Sequence, residues 1–305
     1  MKFTQALLKV SRAQIEQMCG EDFAARAASI LSLLFPALGA LSSVTEEAYA
    51  SFDGDPAPLV KVDEGTFFLE LWHGPSLGYE DIPFAVRSCL PAQSDEGALL
   101  AIAPLIACYV SAYVDLLDAG EIDYGDEVNF CVGYGDGSLL TAGQCASEMG
   151  LPVGKLICAL KEDENADFLG MGIPRGKIVV FRTDEEEIVN TIGYAFDEYG
   201  YVLDPHTAAA VYAMEEYTES TDDERVTVVL STASPHLFAS EVLTAIGEQS
   251  TGSFRRDLKL LEEVTALDAP ESLIKLSEKA KLFTGTMKAE ELSEALRALA
   301  SKTEK

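Results

Sequence analysis

The sharpest change of local structure in the sequence falls within Leu69-Glu70-Leu71-Trp72-His73-Gly74-Pro75-Ser76-Leu77-Gly78-Tyr79-Glu80-Asp81. An apolar strand stops at His73-Gly74-Pro75, because glycine permits unusual backbone angles and proline begins a turn or a helix. His73 is typical either of a catalytic acid-base group or of a hydrogen-bonded histidine in a tight turn, and the tight turn is the favoured interpretation. The segment therefore predicts a strand that ends abruptly, with two adjacent carboxylates, Glu80 and Asp81, just beyond it.

Working outward, the apolar runs alternate between strand and helix patterns. Residues 59–62 and 67–71 predict a hairpin around the turn Asp63-Glu64-Gly65. Further strand candidates cover residues 126–132, 155–160, 178–181 and 226–230, and helix candidates cover 98–117, 139–149, 184–199 and 238–247. This order predicts an α/β fold with a mainly parallel sheet flanked by helices.

The chain divides by its patterns into three parts. Residues 1–50 read as an amino-terminal helical segment, residues 51–253 as the α/β core, and residues 254–305 as carboxy-terminal helices with breaks at 268–270 and 284–286. The apolar run at 98–114 contains Pro104 and is flanked by acidic residues, so a buried helix is favoured over a membrane span.

Composition narrows the range of functions. The 305 residues carry a formal net charge of −29, and this excess lies entirely in residues 1–253. Such a chain repels phosphate backbones and anionic lipids, so neither a nucleic-acid nor a membrane partner is expected. The six cysteines show no Cys-x-x-Cys spacing, which favours reduced, buried thiols and a cytoplasmic location. The charged run at 161–167 fits a solvated loop better than a metal site, and no metal ligand is predicted.

A glycine-rich segment reads Gly133-Tyr134-Gly135-Asp136-Gly137-Ser138 and lies between a strand and a helix candidate. Free amide N–H groups at a helix start point outward and the helix dipole favours negative charge, so this pattern predicts a cradle for a small anion. A tight turn in any βα unit would read the same way, and the spacing is neither that of a Rossmann fingerprint nor that of a P-loop. Thr232 follows another strand, so we expect both segments to meet in one crevice at the carboxyl ends of the strands.

The segment at 69–81 resembles the threonine synthase motif Glu-Leu-Phe-His-Gly-Pro-Thr-Leu-Ala-Phe-Lys-Asp. In that family the lysine carries pyridoxal phosphate (PLP) as a Schiff base. Glu80 stands at the matching position here, and a carboxylate cannot form an imine. The resemblance implies the large domain of threonine synthase, an enzyme of PLP fold type II, with most of the small PLP domain missing. The family's Ser-Gly-Asp-Thr-Gly loop has no counterpart in the sequence.

The resemblance extends to the other motifs. Asp204-Pro205-His206-Thr207 is similar to the family's Asp-Pro-His-Thr, which also suits a capped helix start with Asp204 as the cap. By resemblance, the cofactor-binding positions are Gly133, Gly135, Asp136, Gly137 and Ser138 around the phosphate and Thr232 against the pyridine nitrogen. Asp136 replaces an asparagine, and a carboxylate there would repel a phosphate at close range.

These observations support three functional hypotheses. The first is a catalytically inactive threonine-synthase-like protein with a binding or regulatory role in amino-acid metabolism, without cofactor, taking a small anionic ligand and able to form oligomers. The alternative is an active PLP-dependent lyase that uses another lysine, such as Lys61 or Lys161, or a partner subunit. The third uses Glu80, Asp81 and His73 as acid-base groups, although adjacent carboxylates point differently in most backbones.

Overall fold

The computed structural model describes residues 8–90, 97–135, 137–162 and 177–278. Within these ranges the strands are Leu59–Asp63 (β1), Thr66–Glu70 (β2), Val128–Val132 (β3), Val153–Lys161 (β4), Ile178–Thr183 (β5) and Thr227–Ser231 (β6). The α-helices are Arg12–Met18 (α1), Phe23–Leu34 (α2), Ser42–Tyr49 (α3), Asp81–Cys89 (α4), Gly97–Asp118 (α5), Gly137–Glu148 (α6), Glu185–Tyr199 (α7), Pro205–Thr221 (α8), Ala239–Ala245 (α9), Phe254–Thr265 (α10) and Glu271–Glu278 (α11). Short 3₁₀ helices cover Pro36–Leu38 and Pro235–Phe238.

The strands form one sheet of six in the order β1-β2-β6-β3-β4-β5. β1 and β2 are the predicted antiparallel hairpin, and β2, β6, β3, β4 and β5 run parallel to one another. The carboxyl ends of four central strands therefore meet along one edge, at Glu70, Ser231, Val132 and Lys161. The predicted α/β fold with a mainly parallel sheet is confirmed.

Helices cover both faces of the sheet. Leu69 joins a large apolar cluster that includes residues of α5 and α6. Its neighbour Phe68 points to the other face, where its ring meets that of Tyr201 edge-on at a centroid distance of 4.6 Å, as alternation along a strand requires. α8 packs across β3, β4, β5 and β6 and lies outside that cluster. The chain leaves β3 toward α6 on one face and leaves β6 toward α9 on the other, which opens a crevice between the two strands.

Arg26 links the amino-terminal helices to α5 through buried polar contacts. Its guanidinium is almost fully buried and pairs with Asp115 and Asp118 of α5, the latter at 3.0 Å. It also donates to the Ser111 hydroxyl at 3.0 Å and to the Met18 carbonyl at 3.1 Å. One buried cation thus satisfies acceptors on two helices and fixes α2 against α5.

α5 is apolar and long enough to cross a membrane, yet 83% of its most apolar window is buried inside the protein. Tyr109 and Tyr113 are among its fully buried side chains, and their hydroxyls bond to the Leu139 and Asp126 carbonyls. The sequence-based interpretation of a buried core helix is confirmed.

The chain falls into two compact units, Met1–Ala269 and Pro270–Lys305, and α11 is the part of the second unit that the structure describes. The predicted break at 268–270 separates α10 from α11. The break predicted at 284–286 lies outside the described residues, and the division of the chain at residues 50 and 253 stays a prediction.

Candidate functional site

A cavity of about 420 Å³ lies where β3 and β6 end. The described residues that line it are Ser76, Gly78, Tyr79, Glu80, Gly133, Tyr134, Gly135, Leu139, His206, Thr232, Ala233, Leu237 and Phe238. The crevice predicted from the strand ends is therefore present, and Gly133, Gly135, Thr232 and Glu80 all contribute to its wall.

The loop before Glu80 is fastened to the loop after β6 by main-chain hydrogen bonds. Tyr79 N–H donates to the Thr232 carbonyl at 2.9 Å, and Ser234 N–H donates to the Leu77 carbonyl at 3.0 Å. Leu77 is buried and adopts a left-handed φ of 64°, which is uncommon for a residue other than glycine. A strained backbone held by its surroundings is often found at functional sites.

Glu80 occupies the position immediately before α4, but its side chain makes no hydrogen bond to the helix start. A Cβ on Gly78 would lie 2.7 Å from Glu80 Oε2 and 3.9 Å from the Thr232 carbonyl oxygen. The carboxylate therefore folds back toward Gly78 at the wall of the cavity, while Glu80 stays exposed to solvent. Within the described ranges, no donor or cation contacts it.

The start of α8 forms another part of the wall. Asp204 is fully buried and accepts from the His206 and Thr207 amides at 2.8 and 3.3 Å, so it caps the helix as predicted. Burial raises the pKa of Asp204, while the hydrogen bond from Thr207 acts in the opposite direction. A Cβ on Gly133 would lie only 2.4 Å from the His206 carbonyl oxygen. Glycine is therefore required where the β3 turn passes the start of α8.

Aromatic rings complete the wall. The Tyr134 and His206 rings lie 4.5 Å apart between centroids, and His206 meets Phe238 edge-on at 5.6 Å. Sequence reasoning placed the 133–138 turn in the crevice but gave no role to the rings of Tyr134, His206 and Phe238. These residues are between 32 and 104 positions apart in the sequence, and nothing in that spacing predicts that their rings meet.

The glycine-rich turn leads into α6 as predicted, except that the helix starts at Gly137 rather than at Leu139. Thr141 donates to the Gly137 carbonyl at 2.7 Å, which shows that the first turn is already helical there. Ser138 Oγ lies 3.4 Å from the Tyr79 hydroxyl. Asp136 lies outside the described residues. The cofactor-binding role of these positions and of Thr232 stays a prediction.

The two lysines considered as substitutes for the missing amine lie in different places. Lys61 pairs with Glu121 at 2.7 Å on strand β1 and does not line the cavity. Lys161 ends β4, and its Nζ lies 4.7 Å from the centroid of the Tyr134 ring. Lys161 thus approaches a cavity residue, although it is not itself among the described lining residues.

The acid-base trio of Glu80, Asp81 and His73 is not assembled. His73 Nε2 is 2.8 Å from Glu70 Oε2 and its ring stacks on Trp72, which are the contacts of a hydrogen-bonded histidine in a turn. Asp81 accepts from the Ser76 amide at 2.6 Å and packs against Gly74. Neither side chain is among the described residues of the cavity wall.

Cysteine and metal chemistry find no support in the described ranges. The six cysteines are unpaired and four of them are buried. Burial raises the pKa of the Cys145 thiol to about 11, so it stays protonated and unreactive at neutral pH. No group of three or more His, Cys, Asp or Glu side chains comes together there as metal ligands would.

Comparison by sequence finds relatives over short segments. No protein-family profile matches the chain. Threonine synthase of Saccharomyces cerevisiae is 35% identical over 104 residues, which make up 32% of this chain and 20% of the yeast protein. Human threonine synthase-like 1 is 34% identical over 70 residues, 23% of this chain and 9% of the human protein. The shared segment is well under two thirds of the length of either relative.

Comparison by structure covers most of the chain. A PLP-bound threonine synthase from Brucella melitensis superposes with a TM-score of 0.72 at 18% identity, over 96% of this chain and 92% of that one. The yeast enzyme gives 0.71 at 16% identity, over 97% and 92%. The chain thus has the fold of these threonine synthases, with its cavity at the carboxyl ends of the strands. Over the short segments given above, it is also similar in sequence to threonine synthases.

The described cavity does not suit PLP bound through an imine. An imine needs a primary amine, and the described lining residues include no lysine. Glu80, which the sequence resemblance aligns with the family's lysine, carries a carboxylate that cannot form an imine. The described wall therefore supports no catalytic step through this cofactor.

Proposed function

We propose that the chain is a non-catalytic threonine-synthase-like protein that binds a small molecule in the cavity beside Glu80 and acts by binding or regulation in amino-acid metabolism. The observation that carries this proposal is the position of Glu80. Its carboxylate projects into the cavity of a fold whose relatives include a PLP-bound enzyme. Without a lysine in the described wall, the cavity keeps a place for a ligand but lacks the nucleophile for an imine.

A volume of about 420 Å³ lies within the range of small-ligand sites, which extends from roughly 300 to 1,000 Å³. The small anionic ligand predicted from the glycine-rich turn stays a prediction. Calorimetric titration with inorganic phosphate tests it directly, with the Ser138→Ala variant as a control for a contact at the start of α6.

The test of the non-catalytic role is chemical trapping. The purified protein is incubated with PLP, reduced with borohydride, and mapped by peptide mass spectrometry. At a low PLP concentration, we expect no single lysine to be labelled in a one-to-one ratio to the protein. Stoichiometric labelling of one lysine would contradict the proposal.

A second candidate function is a PLP-dependent lyase that uses Lys161. The distance of 4.7 Å between Lys161 Nζ and the Tyr134 ring favours it over any role of Lys61. If Lys161 is the site, labelling disappears in Lys161→Gln and persists in Lys61→Gln. The second variant is the matched control, because Lys61 is engaged with Glu121 elsewhere on the sheet.

A further inference from the structure

The cavity carries a definite charge. Glu80 is the one charged side chain among its described lining residues, and the other members of the wall are glycines, aromatic or apolar side chains, and hydroxyl groups. The carboxylate contacts no cation or donor within the residues the structure describes. Among the described residues of the wall, the charged group that an entering ligand meets is therefore this carboxylate.

A second acceptor stands close to this charge. Glu80 Oε2 and the Thr232 carbonyl oxygen flank Gly78, at 2.7 and 3.9 Å from where its Cβ would be. The absence of a side chain at Gly78 leaves room for the Glu80 carboxylate beside this residue of the cavity wall. A carboxylate and a carbonyl oxygen on the same side of a cavity suit a group with several N–H donors and a positive charge.

The rest of the wall suits the apolar part of such a ligand. Leu139, Leu237 and Phe238 supply carbon surface, and Tyr134 and His206 supply ring faces. The Tyr134 ring already makes a cation–π contact with the ammonium of Lys161 at 4.7 Å, so in this cavity the counter-ion for a ligand's charge is Glu80. The formal net charge of −29 further favours the approach of cations over that of anions.

We propose that the ligand of this cavity carries a primary ammonium group, which Glu80 binds as its counter-ion while the aromatic and leucine side chains enclose the attached carbon chain. This inference rests on the proposed binding function and names the chemical class of the ligand. In this inference, the Glu80 side chain binds the amine of a ligand. A lysine at the same position would instead provide an amine of its own.

The test is calorimetric titration with three probes of nearly equal shape: n-butylammonium, n-butanol and butyrate. We expect the wild-type protein to bind butylammonium at least about 10-fold more tightly than butanol, which corresponds to about 1.4 kcal/mol, and to bind butyrate more weakly still. Glu80→Gln should abolish this preference, since it retains the size of the side chain and removes its charge. Glu121→Gln is the matched control for non-specific attraction to an acidic surface, and it should leave the preference unchanged.

The outcomes separate this inference from the proposed function. Equal binding of butanol and butylammonium, tighter binding of butyrate, or no loss of preference in Glu80→Gln would each overturn the ammonium site. An effect of Glu121→Gln as large as that of Glu80→Gln would also overturn it, because the attraction would then be general. The borohydride experiment is independent of these results: a labelled lysine refutes the non-catalytic function whatever the amine titration shows.

Discussion

Replacing Arg26 by methionine should lower stability through a defined set of lost contacts. Arg26 is 5% exposed and bonds to Asp115, Asp118, Ser111 and the Met18 carbonyl. Methionine fills much of the same volume but leaves both carboxylates without their counter-ion. The aspartates keep 29% and 33% of their side chains exposed, so water recovers part of the loss.

The size of the effect follows from these exposures. Removing one partner of a fully buried ion pair costs about 3–5 kcal/mol, and partial hydration reduces our expectation to about 2–3 kcal/mol. The compact unit ends at Ala269, and a domain of that length has an unfolding entropy of about 0.6 kcal/mol/K. Arg26→Met should therefore lower Tm by about 4–5 °C at pH 7.5.

Differential scanning calorimetry at two pH values measures this change. Burial raises the pKa of Asp115, whereas the hydrogen bond and charge of Arg26 lower it. Without Arg26 this pKa rises further above its unfolded value, so the variant gains stability from protonation as the pH falls. The difference between wild type and variant should therefore shrink from pH 7.5 to pH 5.

The matched control is Arg12→Met. Arg12 also pairs with a carboxylate, Glu16 at 2.6 Å, but both side chains are more than half exposed. Exposed ion pairs contribute little, so we expect Tm to change by less than about 1 °C. Equal shifts for the two variants, or a difference that grows toward acid pH, would refute the assignment of Arg26 as the buried link between α2 and α5.

Three further predictions concern single side chains in the main unit. Burial lowers the pKa of His236 below 6.5, so as the pH falls the histidine is protonated in the unfolded chain before it is protonated in the folded protein. The free energy of unfolding should therefore decrease as the pH drops below about 6.5. Urea unfolding at pH 7.5 and 5.5 should show a smaller decrease for His236→Gln than for the wild type. Gly133→Ala would place a Cβ 2.4 Å from the His206 carbonyl oxygen, which should cost about 1–3 kcal/mol and weaken butylammonium binding, and unchanged stability would contradict this packing. The buried Tyr49 hydroxyl has no hydrogen-bond partner in the described structure, so Tyr49→Phe should leave the urea midpoint unchanged or raise it, and a clear decrease would reveal a partner for the hydroxyl.

Features that depend on local sequence were predictable. The hairpin at 59–70, the buried α5 and the capped start of α8 follow from short patterns such as a glycine turn, an apolar run and Asp204-Pro205. The crevice was predictable as well, because parallel strands must bring their carboxyl ends together. The start of α6 was placed two residues late, since glycine is a weak helix former and Gly137 resembled part of the turn.

Features that depend on distant side chains were not predictable. The Glu70 carboxylate accepts from the Tyr201 hydroxyl at 2.5 Å, across 131 residues of sequence. The rings of Tyr134, His206 and Phe238 come from three separate elements, and nothing in their local sequence indicates a shared wall. The approach of Lys161 to Tyr134 belongs to the same class, because it depends on how β3 and β4 align in the sheet.

The loop that carries Glu80 is positioned by its peptide groups. Tyr79 and Leu77 bond to the segment after β6 through their amide and carbonyl groups, which every amino acid other than proline provides. The shape of the pocket rim therefore does not depend on which side chain occupies position 80. Exchanges of that side chain, between acid, amide and amine, should leave folding almost untouched while they reverse what the pocket attracts. A single substitution at position 80 is therefore expected to change the charge of the pocket without moving the loop that forms its rim.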